Sequence, residues 1–212
     1  MAYPYGDILF TEAVQQFQTA AGSREGYANM MRNPDRSQGG RDIGPDEKAF
    51  IEARDGFYQA SISSSGWPYV QFRGGPRGFA QVTGARTIAW ADLRGNRQYI
   101  SAGNISQEDR VALFMMDYPN KARLKVLGRA KILSAAEAPD LLERLMLPEI
   151  RGHAERIIEI TVEAFDWNCP AHIPQRFTVE ELQPHLGPLQ DHIAKLEEEN
   201  ARLKSQLAPE SE

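Results

Sequence analysis

Arg94-Gly95-Asn96-Arg97-Gln98 sets two guanidinium groups and two side-chain amides close together, just after the apolar run Thr87 to Asp92. A phosphate needs several convergent donors and at least one fixed cation. The segment offers both, with Gly95 expected to free the backbone. Taken alone, it is also what a solvated polar turn contains. Cys169 and His172 form a C-x-x-H pair. A metal site needs about four ligands, or three and a water. His153, His185 and His192 have no matching spacing, so no metal is expected. Without an orienting third group, a Cys–His nucleophile is not expected either. The chain carries no Walker loop, G-x-S-x-G, H-E-x-x-H or G-x-G-x-x-G motif. That sets aside P-loop NTPases, elbow-type serine esterases, zincins and Rossmann dehydrogenases. Trp67, Trp90 and Trp167 each suit either a wall for a flat ring or ordinary core packing. Trp167 precedes Asn168 to Arg176, where Pro170 and Pro174 make a rigid arm of the kind that closes a neighbouring subunit's site.

The elements that must position these groups follow from periodicity. Val14, Phe17 and Ala21 recur at helical spacing within Thr11 to Ala21, and Gly22 stops the helix. Asn33 to Gly44 reads as a loop, and Pro45 opens a helix to about Arg54. From Phe57 the period changes to that of strands: Phe57 to Ser63, a Ser64-Ser65-Gly66 turn, Trp67 to Phe72, Phe79 to Thr83, and Thr87 to Asp92. Arg110 to Met116 is nearly all apolar, as for a strand buried on both faces. Lys121 to Leu133 is a long strand in which Gly128 marks a bulge or bend. Pro139 to Leu147 is a short amphipathic helix, and Arg156 to Phe165 a last strand. Six or seven strands with short turns argue for a closed or sandwiched antiparallel sheet.

From Leu182 the pattern changes again. Leu182, Leu189, Leu196 and Leu203 repeat every seven residues, with Leu186, Ile193, Asn200 and Leu207 on the alternate seam. Leu at d and one Asn at a specify a parallel, in-register pair of helices. Glu199 opposite Lys204, and His192 opposite Glu197, agree with it. Gly187-Pro188 is expected to break the helix, leaving the coiled coil from Pro188 to about Leu207. The same stripe also fits a helix docked on its own domain.

The 212 residues are 42% hydrophobic and 25% charged, a globular balance. With 24 Lys+Arg against 29 Asp+Glu, the net charge of -5 argues against a nucleic-acid-coating protein. One cysteine excludes an intrachain disulfide and a thiolate zinc cluster. Residues 1–10 lack the marks of a signal peptide, and no apolar run is long enough for a membrane span. Neither a membrane nor a nucleic-acid partner is expected, and the location expected is cytoplasmic.

Together the segments FIEARDGFYQASISSSGWPYVQFRGGPRGF, IAWADLRGNRQYISAGNI, RVALFMMDYPNKARLKVLGRA and FDWNCPAHIPQR resemble the pyridoxamine 5'-phosphate oxidase-like, FMN-binding split-barrel family. The resemblance runs from Phe50 to about Arg176. It implies a mainly β fold with peripheral helices: a six-stranded antiparallel split β-barrel followed by a C-terminal coiled-coil helix. The implied domains are a helical extension over 1–45, a flavin-binding barrel over 46–180 and the heptad helix over 181–212. It implies a homodimer with FMN at the interface. Tyr69, Gln71 and Arg73 match the flavin-lining strand, Asp92 ends the next one, and Asn96, Arg97 and Gln98 match the phosphate loop. Arg123 and Lys125 lie on the strand facing the cofactor or dimer seam. Trp167 matches a Trp that approaches the partner's flavin, and Arg176 lies near a family arginine.

Two departures stand out. Authentic pyridoxamine 5'-phosphate oxidases carry R-x-x-L-L-K, where this chain reads Tyr69-Val70-Gln71-Phe72-Arg73-Gly74 without the lysine. They also carry a C-terminal arginine-histidine-aspartate-arginine cluster, which this chain lacks after Trp167. The resemblance therefore implies another small-molecule substrate. The leading expectation is an FMN-dependent oxidoreductase that passes hydride or electrons from a reduced nicotinamide or similar donor. The alternative is a non-catalytic module that binds or senses flavin, deazaflavin or haem. A third reading leaves the barrel as a scaffold for the heptad tail.

Overall fold

Side chains alternate along most of the strands with a period of two, and this fixes which groups face inward. The computed structural model describes residues 3–33, 39–150, 154–167 and 171–207. They fall into two compact units, 3–117 with 121–173, and 118–120 with 174–207.

In the first unit the helices α1 (Pro4–Leu9), α2 (Glu12–Ala20), α3 (Arg24–Arg32), α4 (Pro45–Glu52), α5 (Ile100–Gln107) and α6 (Pro139–Leu145) surround one antiparallel sheet. Its strands are β1 (Gly39–Gly40), β2 (Gly56–Ile62), β3 (Pro68–Gly74), β4 (Ala80–Gly84), β5 (Thr87–Leu93), β6 (Arg110–Asp117), β7 (Ala122–Leu133) and β8 (Ala154–Trp167). The order is β3-β2-β6-β7-β8-β5-β4, with β1 added on β8. Eight strands therefore stand where six were expected, and the ladder stays open between β3 and β4. Side chains bridge that gap. Phe57 on β2 stacks on Phe79 at 5.6 Å and meets the edge of Trp90 on β5 at 5.1 Å. All three rings are buried.

The strand β6 is not buried on both faces. Val111, Leu113 and Met115 are buried, whereas Ala112, Phe114 and Met116 are half-buried. The apolar run concealed an alternation because both faces are apolar. On the outer face, Val70 and Phe72 of β3 and Tyr58 and Ile62 of β2 are exposed. Gly128 does mark an irregularity: the β7–β8 register shifts between Leu127 and Gly128. A Cβ there would lie 2.7 Å from the Thr161 carbonyl oxygen, so the backbones approach where only glycine fits.

The segment 39–44, expected as loop, begins with β1, whose Gly39 lies against the Phe165 carbonyl oxygen too closely for a side chain. The Tyr3 hydroxyl donates to Asp166 Oδ1 at 2.7 Å, tying α1 to β8. Burial and the Asp166 carboxylate push the Tyr3 phenol well above its ordinary value.

In the second unit, α7 (Val179–Leu207) is continuous. Thr178 and Glu181 form a reciprocal cap, with the Thr178 N–H donating to Glu181 Oε2 at 2.9 Å and the Glu181 N–H to Thr178 Oγ1 at 3.2 Å. The helix runs through Pro184 and Pro188 and does not break at Gly187-Pro188. Each proline removes one backbone bond, and the rest of the ladder carries the helix past it. Leu189, Ile193, Leu196 and Leu203 are exposed along it. Among the described residues, no helix is long and apolar enough to cross a membrane.

Candidate functional site

Alternation on β3 sends Val70 and Phe72 outward and Tyr69, Gln71 and Arg73 inward. The three inward side chains form one wall of a cleft of about 500 Å³, counting the space open to solvent. Asp92 and Leu93 at the end of β5, the loop Gly95 to Tyr99, the first turn of α5, and Glu155 and Arg156 of β8 form the rest.

Asp92 organises the buried side of the cleft. Its Oδ1 accepts from Arg73 Nη1 at 2.5 Å, and its Oδ2 lies 3.0 Å from Arg156 Nε. The Asp92 side chain is only 9% exposed. Burial pushes the Arg73 guanidinium below its ordinary value, while Asp92 holds it up. Arg73 Nε also donates to Gln59 Oε1 at 3.0 Å. Gln59 is fully buried, and its Nε2 has no partner among the described residues. The Gln71 amide joins this set best with its nitrogen on Ser101 Oγ at 2.7 Å and its oxygen toward Arg73. Asn104 Nδ2 donates to Ser61 Oγ at 3.0 Å. Ser101, Asn104 and Ile105, spaced three and one apart, are the buried side of α5.

The loop gains its shape from residues other than Gly95. Arg97 at φ 62° and Tyr99 at φ 54° are left-handed, whereas a Cβ at position 95 would meet open space. A non-glycine residue in that region is uncommon, and such strain gathers at ligand sites. The Gln98 N–H donates to Asn96 Oδ1 at 3.2 Å, which closes the turn. Tyr99 is the N-cap of α5 without a capping side chain, so the first N–H groups of the helix are not met by the usual Ser, Thr, Asp or Asn. Cations at the loop and an uncapped helix start in one cleft suit an anion such as phosphate.

The structure thus brings together Tyr69, Gln71, Arg73, Asp92, Asn96, Arg97 and Gln98. It places the others elsewhere. Arg123 lies over the Phe114 ring at 5.9 Å. Lys125 pairs with Asp166 at 2.8 Å and lies over Tyr5. Trp167 Nε1 donates to Glu47 at 2.7 Å, and its ring meets Phe50 edge-on. Arg176, in the second unit, lies over Tyr118 at 5.0 Å. Trp67 is exposed beside a hairpin turn and Trp90 is core. Asn168, Cys169 and Pro170, and with them the C-x-x-H pair, lie outside the described residues, as does His153. Among the described residues no cluster of three or more His, Cys, Asp or Glu could hold a metal ion.

Sequence reasoning missed Gln59, Tyr99, Ser101, Glu155 and Arg156. The spacing of Ser101, Asn104 and Ile105 was the available signal for α5. Glu155 and Arg156 gave none, because their placement depends on the register of the neighbouring strand.

A family model described as pyridoxamine 5'-phosphate oxidase matches residues 43–169. No curated protein sequence matches the chain. Among solved structures, the chain is similar to an FMN-binding protein from Syntrophomonas wolfei, with 10% identity, 71% of this chain and 97% of that one covered, and a TM-score of 0.48. It is similar to a protein from Clostridium acetobutylicum related to general stress protein 26, with 15% identity, coverages of 65% and 94%, and a TM-score of 0.43. It is also similar to HutZ of Vibrio cholerae, described as a haem storage protein, with 15% identity, coverages of 59% and 95%, and a TM-score of 0.39.

Proposed function

The chain belongs to the pyridoxamine 5'-phosphate oxidase family, and from that premise we propose that it binds FMN through the cleft between β3, β5 and α5 and acts as an oxidoreductase on a small molecule. The observation that carries the reading is the donor set at one end of the cleft. Arg97 is held left-handed beside the uncapped start of α5. Arg73, Arg97 and Arg156 line the cleft with two carboxylates, Asp92 and Glu155, and Arg94, outside the lining, lies 3.8 Å from Glu155. That leaves two positive charges, which a phosphate dianion would balance. The residues present therefore fit the phosphate of FMN.

In this reading Arg97 and the α5 N–H groups bind the phosphate. Gln71 and Tyr69 flank the remainder of the ligand, and the Asp92-locked arginines fix the wall. Bound FMN would supply hydride or electron transfer between a reduced nicotinamide or similar donor and an acceptor, chemistry that requires no protein nucleophile. Without the lysine strand and the arginine-rich C-terminal cluster, the substrate is one other than pyridoxamine phosphate.

The same reading makes the protein a homodimer. The outer sheet face presents Tyr58, Val70 and Phe72, with Phe114 beside them, an apolar surface suited to a second copy. Arg123, stacked on Phe114, would lie at its edge. Trp167 is assigned to the partner's flavin, and Arg176 to the cofactor site, by resemblance alone. The α7 stripe would pair with its symmetry mate, Asn200 facing Asn200. Truncation after Pro184 is expected to leave a flavin-binding dimer with a lower Tm, read by light scattering and absorbance. A monomeric, colourless product would assign dimerisation to the tail.

Absorbance and mass spectrometry of the purified protein test the cofactor itself. A flavin spectrum with the mass of FMN supports the reading, and a Soret band or a deazaflavin mass overturns it. Arg97→Ala is expected to weaken FMN binding by about 1.5–3 kcal/mol, the range for a hydrogen bond to a charged group. Riboflavin, which lacks the phosphate, should bind the variant as it binds the parent. Equal FMN affinity in variant and parent would remove Arg97 from the phosphate site.

A further inference from the structure

Consecutive residues of a strand point to opposite faces, yet Glu155 and Arg156 of β8 both line the cleft. The register gives the reason. Asp92 pairs with Arg156 and Leu93 pairs with Ala154, so Glu155 is the extra residue of a bulge. The bulge turns a carboxylate into a cleft rich in arginine. Glu155 Oε1 lies 3.8 Å from Arg94 Nε and 3.9 Å from Arg97 Nε. Its Oε2 accepts from Arg156 Nη2 at 2.9 Å and from the Tyr99 hydroxyl at 3.2 Å. The Arg156 guanidinium in turn lies over the Tyr99 ring, its Cζ 4.7 Å from the ring centroid.

The two carboxylates of the cleft differ in setting. Asp92 is enclosed between Arg73 and Arg156, whereas the Glu155 side chain is 25% exposed and its two longer contacts are to half-exposed arginines. Asp92 is part of the wall. Glu155 faces the arginines of the loop that leads into α5.

We propose that Glu155 is a built-in competitor for phosphate: its carboxylate engages Arg94 and Arg97 and must give them up to a ligand phosphate. The inference rests on the phosphate reading of the cleft. A competing charge lowers the affinity for every anion. Free orthophosphate, which has only its charge to offer, is then kept out. A phosphate carried on a larger ligand has further contacts and displaces the carboxylate. The bulge is what makes the device possible, since an unbulged β8 would send Glu155 to the other face.

The test uses the full chain and Glu155→Gln, which keeps shape and removes the charge. FMN and riboflavin are titrated by flavin fluorescence, and inorganic phosphate by its effect on Tm. Glu155→Gln is expected to bind FMN about tenfold more tightly, as for loss of a partly exposed opposing charge. Riboflavin affinity should not move. Orthophosphate should raise the Tm of the variant at concentrations that leave the parent unchanged. Weaker FMN binding by the variant would mean that Glu155 accepts a hydrogen bond from the ligand, and would overturn the proposal. So would equal responses of the two proteins to orthophosphate. Should Glu155→Gln fail to fold, Glu155→Asp gives the same test, its shorter reach releasing Arg94 and Arg97 and producing a smaller gain in the same direction; no gain overturns the proposal. If neither protein binds FMN and orthophosphate still favours Glu155→Gln, the cofactor assignment fails and the competitor stands.

Discussion

Asp92→Ala is expected to destabilise the protein by about 3–5 kcal/mol, the cost of leaving buried charge without its partner. Asp92 stands between Arg73 and Arg156, whose side chains are only 15% and 20% exposed. Removing the carboxylate leaves Arg73 with neutral partners alone among the described residues, Gln59 being one. Arg156 keeps Glu155. Burial already works against the Arg73 charge, so the loss falls mainly there. Urea unfolding of parent and variant measures the difference. The double variant Arg73→Gln/Asp92→Asn should lose much less than the two single changes together. A loss below about 1 kcal/mol for Asp92→Ala would mean that solvent screens the cluster as it does a surface pair.

Trp90→Ala should have a comparable effect for an unrelated reason. Trp90 is 1% exposed and lies edge-on to Phe57, which stacks on Phe79. These rings join strands that share no ladder, so the cavity left by alanine opens at the join itself. A loss of about 3–5 kcal/mol is expected, as for large aromatic truncations in cores. Trp90→Phe should be far milder. It keeps a ring, and it removes an indole N–H that has no partner among the described residues. Thermal and urea unfolding of both variants decide the matter. A loss under about 1.5 kcal/mol for alanine would show that the rings do not hold the join.

How far the sequence could be read depended on whether the deciding contact was local. The strands from β2 to β8 follow from period-two patterning, from the apolar run of β6 and from glycine and proline punctuation, and even the Gly128 irregularity was legible. The loop from Arg94 to Gln98 was legible because its donors are consecutive. The resemblance supplied Tyr69, Gln71, Arg73 and Asp92, which the cleft unites. The helix α5 was missed because its N-cap is a left-handed Tyr99 with no capping side chain. Glu155 was missed because a bulge depends on the partner strand's register, which no pattern within β8 encodes. The open ladder was missed because β2 pairs with β6 past β3, β4 and β5, and pattern alone does not say which edges stay free. The prolines of α7 misled in the opposite direction, since a single missing bond does not end a long helix.

The gap between β3 and β4 has a mechanical meaning. A hydrogen-bonded ladder cannot slide by one residue without turning every side chain to the wrong face, so paired strands hold their spacing stiffly. Across the gap the connection is made by side chains, among them the rings and the Arg73–Asp92 pair, and such contacts tolerate small shears without any change of register. The cleft lies along this line, with Tyr69, Gln71 and Arg73 on one bank and Asp92 and Leu93 on the other. The compliant direction of the sheet is thus the width of the cleft, where ring contacts and one ion pair, and not peptide hydrogen bonds, set the spacing.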